Sequence, residues 1–239
     1  MCIRDRYDIN PSKSTHTLEE TVNESDFIFL SVPTPANADG SININILENA
    51  LNDIDDVSEK NNYILIRSTV VPGTTWALQE KFPSLNLLFN PEFLTERSAN
   101  FDFINQSRFV IGSSGQPLNE EKASQLAELF RNRFGASVSI LNTNYETAEM
   151  VKYMTNTFFA TKISFLNDMK LLADECNVIW EDAMEGFLRD GRIGHSHLNV
   201  PGHDGKMGFG GSCFPKDIQA MIDFGDSVGV DMRVLKAAW

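Results

Sequence analysis

Between residues 26 and 141, short apolar runs alternate with segments of helical period, and this alternation is what most restricts the fold. Phe27-Ile28-Phe29-Leu30-Ser31-Val32 is a continuous apolar run, as expected of a strand covered on both faces. Ile44, Leu47, Ala50, Leu51 and Ile54 follow helical spacing; residues 63–66 then read as a strand, 74–81 as a short helix and 85–89 as a strand. Residues 108–111 lead into a helix over 120–133, and 137–141 close the series. Strands and helices alternating at these lengths predict an α/β fold, a doubly wound parallel sheet of Rossmann-like type. Tyr7-Asp8-Ile9-Asn10-Pro11 reads as the end of a strand whose preceding element is not in the chain, so the sheet is expected to be incomplete, with this domain occupying residues 1–142.

Past Asn144 the character changes. Residues 145–176 contain neither Gly nor Pro and predict one helix, a rod of about 45–50 Å. Ala148, Val151, Phe158, Phe165, Met169 and Leu172 form one apolar seam, with Phe159, Ile163 and Leu166 off it. Two apolar faces predict burial against the sheet domain and against a second copy of the chain, the alternative being a small helical domain of the same chain that covers both. Residues 143–239 are expected to form a helical central domain that makes a homodimer through 145–176. Residues 186–211 hold eight glycines in a stretch without sustained period, and a loop that long is usually functional.

Charge and cysteine usage narrow the partners. The 239 residues carry 20 basic and 33 acidic side chains, net −13, without the basic stripe that nucleic-acid binding needs. No apolar run approaches the ~18 residues of a membrane span, and residues 1–8 do not resemble a signal peptide. Cys2, Cys176 and Cys213 include no C-x-x-C, so a reducing, cytoplasmic setting is expected.

Ligands of open parallel sheets bind at the carboxyl ends of the strands. Val32-Pro33-Thr34-Pro35, Arg67-Ser68-Thr69 and Asn90-Pro91-Glu92-Phe93-Leu94-Thr95-Glu96 follow three successive strand runs, which places Thr34, Thr69 and Glu92 on one edge. Asp8, with Lys13 five residues on, stands where such a fold sets an acid for ribose hydroxyls, but no G-x-G-x-x-G precedes it. Lys152 and Asn156, one helical turn apart, could donate to a developing oxyanion. The strongest local motif is Gly208-Phe209-Gly210-Gly211-Ser212-Cys213-Phe214-Pro215-Lys216-Asp217. Glycines admit a ligand close to the backbone, Pro215 suits a first helical turn, and the helix end with Lys216 favours thiolate at Cys213. Cys176, among Leu172, Ala173 and Val178, reads as a buried structural cysteine. His195, His197 and His203 raise a zinc site, although H-x-H-x5-H on a glycine-rich loop is not a standard ligand spacing.

These segments, with Ser68-Thr69-Val70-Val71-Pro72-Gly73, Glu149-x-x-Lys152-x-x-x-Asn156 and Arg192-Ile193-Gly194, resemble the UDP-glucose/GDP-mannose dehydrogenase family in order from Asp8 to Trp239. The resemblance implies NAD as cofactor and a four-electron oxidation of a nucleotide-sugar primary alcohol to the uronic acid. It implies Cys213 as nucleophile, Lys152 and Asn156 as oxyanion donors, Glu92 assisting thioester hydrolysis, and Thr69 and Asp217 holding a water. NAD contacts fall on Asp8, Lys13, Thr34, Thr69, Glu96 and Lys216. Substrate contacts fall on Glu92, Phe93, Leu94, Glu96, Lys152, Asn156, Arg192, Asn199 and Gly210. Ser212-Cys213-Phe214-Pro215 leans toward UDP-glucose, and no metal is implied. The first strand and glycine turn are not in the chain, and Asp8 to Phe27 is short for the family, so a helix and strand are expected to be missing there. The alternatives are a fragment that only binds or dimerises, and a zinc-dependent hydrolase using the three histidines.

Overall fold

The computed structural model describes residues 6–95, 98–211 and 213–239. The chain divides into two compact units, Met1–Pro35 with Ile42–Lys152, and Ala36–Ser41 with Tyr153–Trp239.

The first unit begins with a 3-10 turn, Pro11–Lys13, and then alternates α1 Leu18–Asn23, β1 Phe27–Leu30, α2 Asn45–Val57, β2 Tyr63–Ile66, α3 Thr74–Lys81, β3 Asn86–Phe89, α4 Ala99–Ile104, β4 Arg108–Ser113, α5 Pro117–Phe134 and β5 Ser139–Asn144. It ends in the first turns of the long helix α6, Tyr145–Glu175. The five strands lie in sequence order, β1-β2-β3-β4-β5. Neighbours are parallel except β3 and β4, which meet antiparallel at Phe89 and Gly112. Among the described residues the connection from β3 to β4 holds the six-residue α4, which buries no side chain.

Alternation along the strands sends side chains to two cores. Ile64, Ile66, Leu87 and Phe89 pack with Leu47, Leu51, Leu78, Tyr145 and Ala148. Tyr63, Leu65 and Leu88 pack on the other face with Ala123, Leu126, Ala127 and Phe130 of α5. Helices therefore cover both faces, and every residue of β2 is buried. Helix α6 starts directly against β4: a Cβ on Gly112 would stand 2.9 Å from the Ala148 Cβ and 3.2 Å from the Asn144 carbonyl oxygen. Gly112→Ala is accordingly expected to cost about 1–3 kcal/mol by overpacking, read as a lower midpoint in urea unfolding; an unchanged midpoint would show that α6 can shift freely there.

Two sequence expectations change at the amino end. Tyr7 and Asp8 carry no strand pairing; the segment is fixed instead by the Asp8 amide donating to Ser14 Oγ and the Ser14 hydroxyl donating to the Asp8 carbonyl. The stretch before β1 also contains a helix, α1, started by a reciprocal capping box between Thr17 and Glu20.

The second unit is helical among its described residues: the rest of α6, then α7 Trp180–Leu188, α8 Phe214–Ser227 and α9 Arg233–Ala238. The apolar seam read along α6 is divided. Ala148 is buried, whereas Phe158, Phe165 and Leu172 are more than half exposed, at 63%, 51% and 58%. The buried positions of α6 in this unit are Tyr153, Asn156, Thr157, Ala160, Leu166, Asn167 and Ala173. Cys176 is exposed rather than buried; it lies just past α6, where its amide still bonds the Leu172 carbonyl.

Candidate active site

In the first unit, polar side chains cluster where β1, β2 and β3 end. The Ser68 hydroxyl, next to the end of β2, donates to the Val32 carbonyl at 2.6 Å, and the Thr34 hydroxyl donates to the Thr69 carbonyl at 2.8 Å. Arg67, buried, donates from Nη1 to Asn90 Oδ1 at 2.6 Å; its Nη2 stands 3.8 Å from Glu92 Oε2. Asn90, wholly buried, donates in turn to the Val110 carbonyl on β4. Lys152 of α6 donates from Nζ to the Glu92 carbonyl at 2.6 Å and lies 5.7 Å from the Phe93 ring centroid, while Leu94 is half-buried beyond it. Glu92 is therefore held at its main chain by Lys152, and its carboxylate faces Arg67. Glu96 lies outside the described residues.

One turn before Lys152, Glu149 is fully buried. Its two carboxylate oxygens accept from the amides of Gly73 and Thr75, at 2.6 and 2.8 Å. Gly73 is the N-cap of α3 and has no side chain to cap it, so Glu149 supplies the cap from α6 and ties the Thr69 loop to the helix bearing Lys152. Burial pushes the Glu149 carboxyl up to about 7, against the pull of the Thr75 and Gly73 hydrogen bonds. The folded state thus binds this proton more tightly than the unfolded chain, whose value is 4.5. The stability contributed by this group is full below about 4.5 and declines as pH rises through about 7, by about 3 kcal/mol in all. Glu149→Gln should flatten that slope in denaturant titrations between pH 5 and 7.5; an unchanged slope would show that Glu149 is not its source.

Asp8 is half-buried, with Oδ1 accepting from the Asn10 amide, and Lys13 is exposed.

The second unit presents Cys213. It is exposed and forms the N-cap of α8, with Pro215 in the first turn as the sequence predicts. Asp217, on that first turn and 1% exposed, is bracketed: Asn156 Nδ2 donates to Oδ2 and Lys216 Nζ lies against Oδ1, each at 2.6 Å. Lys216 is expected from the sequence to act on the thiol. Its ammonium also lies against the Asp217 carboxylate, and the α8 amino end is a further positive element at Cys213. The amide of Gly208 donates to Asn167 Oδ1 at 2.8 Å; Gly208 and Gly211 have φ of 88° and 81°, a backbone that a side chain would strain. Gly210 is exposed and nothing lies within 4 Å of the Cβ position.

Upstream in the loop, Arg192 is exposed and paired with Asp190. Lys162 of α6 donates to the carbonyls of Ile193, Gly194 and Ser196 and fastens this segment. His197 stacks on Phe159 with centroids 4.0 Å apart, and burial beside the Lys162 ammonium lowers its basicity. His203 Nε2 is within 3.1 Å of Asn199 Nδ2. The three histidines do not converge, and among the described residues no group of three or more His, Cys, Asp or Glu side chains is arranged to hold a metal. The donor geometry thus gives no support to the zinc-hydrolase alternative.

Sequence reading passed over Arg67, Asn90, Glu149 and Lys162 as site residues. For Arg67 and Asn90 a signal existed, since each directly follows an apolar run and a polar group there must find a partner when covered. For Lys162 no local pattern distinguishes it from a surface lysine.

The fold and these side chains define a Rossmann-like α/β domain followed by a helical domain that carries an exposed cysteine at a helix amino end. Residues 7–133 match the NAD binding domain of the UDP-glucose/GDP-mannose dehydrogenase family, and residues 146–239 match its central domain. The chain belongs to this family. It is 34% identical to the UDP-glucose 6-dehydrogenase of Rickettsia typhi over 229 residues, covering 94% of this chain and 51% of that protein. The UDP-glucose 6-dehydrogenase YwqF of Bacillus subtilis is also 34% identical, over 92% of this chain and 49% of its own length. Among solved structures, a UDP-glucose dehydrogenase from Pyrobaculum islandicum superposes with a TM-score of 0.79 at 35% identity, over 93% of this chain and 51% of that one. A GDP-mannose dehydrogenase from Pseudomonas aeruginosa gives 0.66 at 28%, over 92% and 51%. The chain spans about half the length of the curated relatives it matches.

Proposed function

We propose that this chain carries the catalytic cysteine and the cofactor-binding edge of an NAD-dependent nucleotide-sugar 6-dehydrogenase that oxidises the primary alcohol of UDP-glucose to the acid. The observation that carries the reading is Cys213, exposed at the start of α8 in a glycine-rich loop, with Asn156, Asp217 and Lys216 hydrogen-bonded together in the same unit. The donor set suits the dinucleotide: the Asp8 carboxylate for ribose hydroxyls, Lys13 for a negative group, and Thr34, Thr69 and Lys216 for polar contacts. NAD, when bound, supplies the hydride acceptor for both oxidations. The roles of the chain's residues follow from carbonyl chemistry. An aldehyde carbon must become tetrahedral before it can lose a hydride, and the Cys213 thiolate achieves this by forming a C–S bond. Lys152 and Asn156 donate to the oxygen that carries the developing negative charge. The acyl group is then a thioester. Water, held by Thr69 and Asp217, attacks its carbon while Glu92 takes the proton; the C–S bond breaks and the thiolate returns. Phe93, Leu94, Glu96, Arg192, Asn199 and Gly210 supply substrate contacts. Turnover of UDP-glucose should yield two NADH per sugar, measured by absorbance against sugar consumed; one NADH per sugar, with aldehyde released, would contradict the thioester route.

The exposed apolar stripe Met154, Phe158, Phe165 and Leu172 of α6 favours a homodimer through this helix, since a patch of that kind on one face marks an interaction surface. Sedimentation of wild type and Phe158→Glu tests it. None of the described helices is long and apolar enough to cross a membrane, and a cytoplasmic setting fits the nucleotide substrate.

A further inference from the structure

Arg67 has no role in the chemistry above, yet its placement is unusual. It directly follows β2, and only 7% of its side chain is exposed, although its partner Glu92 is 45% exposed. Burying a guanidinium is costly unless its geometry is satisfied, and here it is fixed from behind: Nη1 donates to Asn90 Oδ1, and Asn90 is anchored through its own Nδ2 to the Val110 carbonyl at 2.8 Å. The Phe29 ring centroid lies 5.8 Å from the guanidinium carbon. This leaves the other arm of a rigid planar fork directed at the Glu92 carboxylate. A Lys ammonium, a single point of charge, could not hold both positions. The 3.8 Å separation is also informative. It is a charge contact and not a hydrogen bond, so it draws the carboxylate to one side without occupying the lone pairs a base needs. The Glu92 main chain is fixed independently by Lys152, which leaves side-chain direction as the variable that Arg67 controls.

We propose that Arg67 is a positioning residue: held by Asn90, it directs the Glu92 carboxylate for removal of a proton from the water that opens the Cys213 thioester. The inference rests on the reading of Glu92 as the residue that assists hydrolysis. The test measures, in the enzyme mixed with UDP-glucose and NAD and then quenched, the fraction of Cys213 carrying an acyl group, by intact mass and peptide mapping. Arg67→Met should lower kcat on the order of 10- to 100-fold, as misdirection of a reacting group does. KM for UDP-glucose should be nearly unchanged, the first hydride transfer should keep its rate, and acyl enzyme should accumulate. Arg67→Lys should accumulate less, and it decides the matter by the same readout if the Met variant does not fold. A merely structural Arg67 would slow both oxidations alike and leave no adduct, which would overturn the proposal. Glu92→Gln separates the two levels. If it accumulates acyl enzyme and neither Arg67 variant does, the inference fails while the reading of Glu92 stands. If Glu92→Gln accumulates none, that reading fails and takes the inference with it.

Discussion

Cys213→Ser is expected to lower conversion of the 6-aldehyde to the acid on the order of 10³-fold or more, the scale seen when a covalent nucleophile is removed. A neutral hydroxyl lacks the thiolate's nucleophilicity, and the ester it forms gives a poorer leaving group than the thioester. The helix amino end remains after the substitution, so the loss isolates the sulfur itself. Cys176→Ser provides the internal comparison, because Cys176 is exposed past the end of α6, and its rate should stay near that of wild type. Steady-state kinetics with the aldehyde as substrate measure both. A Cys213→Ser enzyme forming acid at nearly the wild-type rate would remove the thiolate from the mechanism.

Lys152→Ala is expected to reduce kcat on the order of 10²- to 10³-fold, the usual cost of one oxyanion donor. Lys152 is 6% exposed and its Nζ reaches the Glu92 carbonyl at 2.6 Å, so the substitution also releases the main chain that carries Glu92. A conservative change distinguishes the two contributions. Lys152→Arg keeps the charge and a donor, and should recover the position of Glu92 better than it recovers turnover. An effect of Lys152→Ala confined to KM would make the lysine a binding group.

What the sequence disclosed, and what it withheld, follows from the range of the forces involved. The run Tyr63-Ile64-Leu65-Ile66 announces a fully covered strand, and β2 is buried at every residue, because the apolar content of a central strand is local information. The edge strand β5, Ser139–Asn144, extends three residues past the end expected at 141. Asn142, Thr143 and Asn144 are polar and partly solvent-facing, so the pattern fades where the pairing with β4 continues. Periodicity shows that α6 is helical but not which of its stripes is covered, since that depends on elements distant in sequence; hence Phe158 and Leu172 group with Ala148 in the pattern yet stand exposed. Helix α1 is six residues long, too short for a period to register, although its Thr17-x-x-Glu20 start was readable.

The site divides in the same way. Cys213 and its helix start are a local motif and were legible, as was the four-residue spacing of Lys152 and Asn156. The partnerships are tertiary. Nothing near Glu149 in sequence indicates that its carboxylate caps α3 at Gly73 and Thr75. Nothing near Asp217 indicates that Asn156, 61 residues earlier, fixes one of its oxygens.

The central claim is covalent catalysis at Cys213, and the most direct measurement is the site of attachment. The Glu92→Gln enzyme, incubated with UDP-glucose and NAD, quenched in acid and digested, should yield the peptide containing Cys213 with the added mass of the uronyl group, released by hydroxylamine as a thioester is. Label on Lys152 as an imine trapped by borohydride, with Cys213 unmodified and still alkylatable, would contradict the account.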